Sequence, residues 1–288
     1  MKNSSRRRFL KSSALGIAGS VIPLAHLRSS ISDGTARQFP FQLGMTSYTF
    51  RAFNLDQAIL MTKRLNLSRI SLKDVHLALS SSDSKIAEAV AKVRTAGLEL
   101  SALGVIYMKS EAEVNRAFSY AQAAGVRMFV GVPEPELLPL TEGMAKATQI
   151  SVAIHNHGPT DKTYPSPESV YSRISALDPL LGLCIDVGHT QRLGLDPAHE
   201  AQRFADRLLD VHLKDVSSND VNGTTVEIGR GVIDIPKLLG TLARINFGGT
   251  LHFEHEKDEK DPLPGVAESV GYTHGVLEML GRQNTEER

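Results

Sequence analysis

With 288 residues, 41% of them hydrophobic and 22% charged, the chain can bury a full core as one large α/β domain. Lys plus Arg and Asp plus Glu are equal at 32 each, so no global field draws in nucleic acid or an anionic membrane, which argues against a DNA-binding enzyme. The lone Cys184 excludes an intrachain disulfide and, inside an apolar run, reads as a buried inert thiol.

The chain opens with Ser5-Arg6-Arg7-Arg8-Phe9-Leu10-Lys11 and a mildly apolar stretch from Ser12 to Ala25. A basic segment ahead of a weak hydrophobic one resembles a twin-arginine export signal, with the S-R-R-x-F-L-K pattern present at every position. The apolar stretch is too short and weak to span a bilayer, so no stable membrane insertion is expected. Residues 1–39 are therefore set aside as signal and linker, and residues 40–288 as the folded domain. The twin-arginine export machinery is an expected partner, and the periplasm or another exported location is the expected destination.

From Phe41 to Ser47 the pattern predicts a first strand, and Leu55 to Leu65 carries apolar residues at helical spacing. Arg69 to Asp74 is a second strand, ending in Lys73 and, slightly later, His76. A helix over Ser84 to Ala96 stops at Gly97. A third strand from Leu98 to Ile106, a helix over Glu111 to Ala124 and a fourth strand from Val126 to Val132 follow. Glu136 to Gln149 reads as a helix, and a fifth strand ends in His155-Asn156-His157. Ser166-Pro167 opens a helix with a serine cap and proline at the first position. The sixth strand, Gly182 to Asp186, runs into a two-residue turn and His189. Asp196-Pro197 starts the next helix. The seventh strand, Leu208 to Leu213, carries His212 and is followed by Lys214-Asp215. A loop through Gly223 to Gly231 leads to a helix at Asp234-Ile235-Pro236, an eighth strand ending in Glu254, and a last helix from Pro264 to Leu280.

Eight strand-then-helix units over about 250 residues are what a single (β/α)8 TIM barrel requires. A doubly wound open sheet needs a glycine-rich phosphate turn after an early strand, and Thr46-Ser47-Tyr48-Thr49-Phe50 stands there instead. In a barrel the parallel strands end on one face, so Asp186, His212 and Glu254 meet there. Two carboxylates and an imidazole suit a divalent metal such as Mn²⁺, Mg²⁺, Co²⁺ or Zn²⁺.

Ile185-Asp186-Val187-Gly188-His189, then Val211-His212-Leu213-Lys214-Asp215, then Phe253-Glu254, resemble the xylose isomerase-like barrel superfamily of sugar isomerases and epimerases, over roughly residues 41 to 282. The resemblance implies a metal held by a carboxylate after strand five and by Asp186, His212 and Glu254, with His189 facing a small carbohydrate substrate and a homodimer as the assembly. Strand five departs from the epimerase pattern, with His155-Asn156-His157 where those enzymes carry a glutamate. His155 or His157 becomes the fourth ligand, and Glu254 the single carboxylate best placed as base. The implied chemistry is proton abstraction next to a carbonyl of a sugar or keto-sugar, leading to isomerisation, epimerisation or elimination and hydration. Unless Glu134 or another acid fills in, the symmetric pair of glutamates is lost, which favours elimination. Lys73, His76 and Lys214 are placed to stabilise developing oxyanion charge or deliver a proton, with ion pairs to Asp74 or Asp215 the competing role for the lysines. Arg230 reads equally as a cap over the site or a surface arginine. An inactive sugar- or metal-binding barrel and a metal-dependent hydrolase are the alternatives. A phosphodiester-cutting relative of the endonuclease IV type needs a basic groove that this charge balance does not supply.

Overall fold

The eight apolar runs become parallel strands because helices cover their outer face and side chains fill the interior, so neither face meets water and no polar alternation is needed. The computed structural model describes residues 39–286; the arginine-rich segment read as an export signal lies outside the described residues. The staves of the barrel are β1 (Gln42–Thr46), β2 (Arg69–Leu72), a third stave in two pieces, β3 (Glu99–Leu103) and β4 (Ile106–Met108), then β5 (Met128–Pro133), β6 (Ser151–His155), β7 (Leu181–Asp186) and β8 (Leu208–Leu213). Beyond these, β9 (Asp215–Val216) and β10 (Thr225–Val226) form a small antiparallel hairpin, and β11 (Thr250–Phe253) is the eighth stave.

Hydrogen-bonded neighbours run β3-β2-β1-β11-β8-β7-β6-β5-β4. Since β3 and β4 are successive pieces of one stave, the order returns to its start, giving the single (β/α)8 barrel expected from the strand count. The third stave, expected as one strand, breaks at Gly104. There φ is +110° and a Cβ would stand 2.0 Å from the Val130 carbonyl oxygen, so only glycine fits. β3 pairs with β2, and β4 with β5.

Around the barrel lie α1 (Leu55–Arg64), α2 (Asp83–Thr95), α3 (Glu111–Ala124), α4 (Leu138–Thr148), α5 (Pro167–Ile174), α6 (Val187–Gln191), α7 (Pro197–Arg203), α8 (Ile235–Arg244) and α9 (Leu263–Glu286). Side-chain caps from Asn54, Ser82, Ser110, Ser166, Asp196 and Asp234 satisfy backbone N–H groups that would otherwise lack partners, and proline opens α5, α7 and α8 as expected. Two local expectations change. The helix expected from Glu136 is preceded by a 3-10 turn over Pro135–Leu137. The two-residue turn expected after Asp186 is α6, capped by Asp186 itself through its hydrogen bond from the His189 N–H. Among the described residues no helix is long and apolar enough to cross a membrane. All six residues of β7 are buried, Cys184 included, and burial pushes its thiol well above the usual range, in keeping with an inert side chain.

Candidate functional site

Adjacent staves β6, β7, β8 and β11 are in register so that His155 pairs with Cys184, Asp186 with His212, and His252 with His212. Their C-terminal ends therefore deliver His155, Asp186, His212 and Glu254 to one place. Each offers one ligand atom, the four atoms lie within 4.8 Å of one another, and all four residues are buried. His155 Nε2 is 3.0 Å from His212 Nδ1 and 3.4 Å from Asp186 Oδ2, and His212 Nδ1 is 3.2 Å from Glu254 Oε2.

A divalent cation fits this set. Burial holds the His155 imidazole well below its usual pKa, so it is neutral with a lone pair to give. Burial works against ionising Asp186 and Glu254, but cationic neighbours, Lys214 foremost, hold both carboxyls well below the usual range. Asp186 Oδ2 is buried without a well-directed hydrogen bond, which is how a donor atom aimed at an ion looks. Two imidazole nitrogens and two carboxylates form a mixed set suited to Mn²⁺, Co²⁺ or Zn²⁺.

Two lysines complete the charge balance. Lys214 Nζ lies 2.9 Å from Asp186 Oδ2, 2.8 Å from Glu254 Oε2 and 3.1 Å from Glu256 Oε1. Burial disfavours its charge, and these three carboxylates more than offset that, raising its pKa well above the ordinary value. Lys73 Nζ lies 2.8 Å from Glu254 Oε1. The competing pairings with Asp74 and Asp215 are not the ones formed. Asp215 instead accepts backbone N–H groups from Val216, Gly229, Gly231 and Ile233.

The remaining candidates separate. His157, two residues past His155, is outside the donor set. Its Nε2 meets the Tyr107 hydroxyl at 2.9 Å and its Nδ1 lies 3.6 Å from Asp161 Oδ2. Burial, helped by the neighbouring His189, lowers its pKa to about 4. β6 ends at His155, so the alternation that would put residue 157 on the same face lapses. His189 lies beside the cluster, its ring centroid 6.0 Å from that of His155, and burial lowers its pKa. His76 turns aside, with Nε2 at 3.0 Å from the Phe53 carbonyl oxygen, and shares a surface cavity with residues of α1 and α2. Arg230 reaches Glu268 on α9, with Nη2 donating at 2.7 Å, and its side chain is largely exposed, so it does not cover the site.

Several neighbours escape a reading of spacing alone. Tyr107 stands half exposed on β4, stacked on His157 with centroids 5.6 Å apart. Asn156 Oδ1 accepts the Asp186 N–H at 3.0 Å, locking β7 to the end of β6. Beneath the site Asp210 accepts from His252 Nδ1 at 2.9 Å, while His252 Nε2 meets Ser101 Oγ at 2.7 Å. Only their convergence inside the barrel reveals these partners.

Because Asp186 Oδ1 caps α6 while Oδ2 faces the cluster, Asp186→Asn keeps the cap and removes the charge. Divalent-metal affinity, measured by calorimetry, is expected to fall by more than about tenfold with folding intact, since even indirect ligand partners command about 10–100-fold. A variant that unfolds, or that binds metal as before, would mean Asp186 serves the fold and not the ion.

Residues 71–274 match the xylose isomerase-like TIM barrel family. The rhizopine catabolism protein MocC of Rhizobium meliloti is 28% identical over 152 residues, 48% of this chain and 46% of that protein. An inosose dehydratase of Geobacillus kaustophilus (strain HTA426) is 27% identical over 165 residues, 50% of this chain and 51% of that protein. The chain thus spans about half the length of the curated relatives it matches. A solved L-ribulose 3-epimerase superposes with TM-score 0.69 at 14% identity, covering 85% of this chain and 97% of that one, which speaks to the fold.

Proposed function

The chain belongs to the xylose isomerase-like TIM barrel family, and from that premise we propose that it is an exported, divalent-metal-dependent enzyme that eliminates water from a keto-sugar or keto-polyol. The observation that carries this reading is that the donor set leaves one carboxylate oxygen able to act as a base, Glu254 Oε1, whose partner is Lys73. Of the two carboxylates in the donor set, Asp186 is spoken for by the His189 N–H and by Lys214, and His155 takes the remaining place. Inverting a carbon requires a second base on the opposite face. One carboxylate can instead remove a proton and hand it to a leaving hydroxyl on the same side.

His155, Asp186, His212 and Glu254 are the residues that would hold the metal, whose contribution when bound is Lewis-acid stabilisation of charge on the substrate's oxygens. Lys73 exchanges its ion pair with Glu254 Oε1 for the substrate's carbonyl oxygen. That exchange frees Oε1 and raises its basicity. Glu254 takes the proton from the carbon next to the carbonyl, and the electron pair moves onto the oxygen held by the Lys73 ammonium and the ring N–H of His189. The enolate then expels the hydroxyl one carbon further on, which leaves as water with the proton from Glu254. Lys214 stays paired with Asp186 and Glu256 and keeps the buried charge balanced. The relative named for inosose dehydration supports a substrate of this class, and Ser5 to Lys11 supports export through the twin-arginine pathway to the periplasm.

Metal analysis paired with NMR of keto-sugars, 3-keto-glycosides and inososes in deuterated water tests the proposal. About one equivalent of divalent metal, deuterium entry next to the carbonyl and the signals of an enone are expected. Deuterium entry with an epimer as product would replace elimination by epimerisation. Absence of both metal and exchange would leave an inactive binding barrel, and metal without exchange would turn the reading toward hydrolysis.

A further inference from the structure

We infer that Arg192 is a positioning residue that fixes which nitrogen of His189 carries the proton, and that the β9–β10 hairpin holds it in place to do so. This rests on the reading of His189 as a hydrogen-bond donor to the substrate's oxygen. A guanidinium has five N–H donors and no acceptor. Arg192 Nη1 lies 3.3 Å from His189 Nδ1, so that contact is a hydrogen bond only when Nδ1 offers its lone pair. The proton of the neutral ring then sits on Nε2, which makes no hydrogen bond to protein among the described residues.

The guanidinium is itself anchored. Its Nε donates to the Gly223 carbonyl at 2.7 Å and its Nη2 to Thr225 Oγ1 at 3.4 Å, both in the loop and strand of the hairpin. Thr225 Oγ1 in turn lies 3.5 Å from Glu256 Oε2, and Glu256 Oε1 lies 3.1 Å from Lys214 Nζ. A continuous polar chain thus links His189 to the lysine that balances Asp186 and Glu254. Room for the arrangement comes from Gly158, where a Cβ would stand 3.0 Å from His189 Nδ1. Held in this way, His189 presents N–H and not a lone pair to a ligand, so it stabilises negative charge on oxygen and does not compete with Glu254 as a base.

Arg192→Met removes every donor at similar length, and Arg192→Lys restores one donor nitrogen in place of three. Long-range ¹H–¹⁵N NMR of the histidine rings, assigned with a His189→Gln variant, reports which nitrogen is protonated without any substrate present. Expected are Nε2–H in the parent protein, a new Nδ1–H population in Arg192→Met and partial recovery in Arg192→Lys. Turnover of the keto-sugar should fall about tenfold in Arg192→Met, the low end of what losing an orienting partner costs, with kcat changed more than KM. A proton on Nδ1 in the parent protein overturns the inference. So does an Arg192→Met variant whose His189 signals and kcat match the parent while only its Tm is lower, the mark of a purely structural arginine. If the parent turns over no keto-sugar, the proposed reaction fails while the ring spectra still decide the role of Arg192.

Discussion

Glu254→Gln is expected to lower deuterium exchange next to the carbonyl by about 10²–10⁴-fold, the contribution of a positioned acid–base group, while leaving the barrel folded. The fold survives because Gln fills the same volume and Lys214 keeps Asp186 and Glu256 as partners. The chemistry does not, because an amide cannot accept the proton that Oε1 takes once Lys73 has moved to the substrate. The same change removes a charged donor from the set of His155, Asp186 and His212, so metal content is measured on the same sample. Exchange at the parent rate in Glu254→Gln with metal retained would shift the base to a histidine and undo the single-carboxylate mechanism.

The largest loss of stability is expected from Asp215→Ala. This carboxylate is fully buried, and its Oδ1 accepts from Val216 N at 2.9 Å and Ile233 N at 3.1 Å, while Oδ2 accepts from Gly229 N at 2.9 Å and Gly231 N at 3.0 Å. Gly231 has no alternative, since a Cβ there would lie 2.1 Å from Asp215 Oδ1. Each backbone N–H left buried without a partner costs about 1–3 kcal/mol, so a total on the order of 4 kcal/mol is expected once water reaches some of the four. Urea denaturation of the purified protein measures it, with Asp215→Asn, which retains one acceptor oxygen, falling between the two. A loss below about 1 kcal/mol would show that the segment from Gly229 to Ile233 is held by its own packing.

Much of the site is legible in the residues because a barrel stave buried on both faces is an uninterrupted apolar run, and the residue that ends it in polar chemistry stands out. Asp186, His212 and Glu254 announce themselves this way, and His155 does so once its strand is located. Tyr107 does not, because the third stave reads as complete at Ile106 and the break at Gly104 that carries the chain on to β4 is a matter of close approach to Val130. Arg192 is hidden for another reason. It ends a short helix that exists because Asp186 caps it, and its partners come from a hairpin whose two strands are each two residues long. The pairing of Lys214 with Asp186 and Glu254, and not with adjacent Asp215, follows from the inward direction of one side chain and the loop-holding task of the next. The amino-terminal export reading falls outside the described residues and stays with the sequence.

The order of staves also sorts the mouth of the barrel into two arcs. All four candidate metal donors come from β6, β7, β8 and the end of β11, which are hydrogen-bonded neighbours, whereas Lys73 and Tyr107 come from the end of β2 and from β4 across the opening. On the side of Lys73 and Tyr107 two junctions are short, β1 with β2 and β4 with β5, the first held by Met45 to Ile70 and Thr46 to Ser71 alone. The second is held by the short register Ile106 to Gly131, Tyr107 to Val132 and Met108 to Pro133. Sections with fewer backbone bonds open at lower free energy, so breathing of the mouth is concentrated on the side of Lys73 and Tyr107, leaving the donor arc rigid. A substrate would thus enter against a fixed electrophilic wall and be gripped by a compliant one.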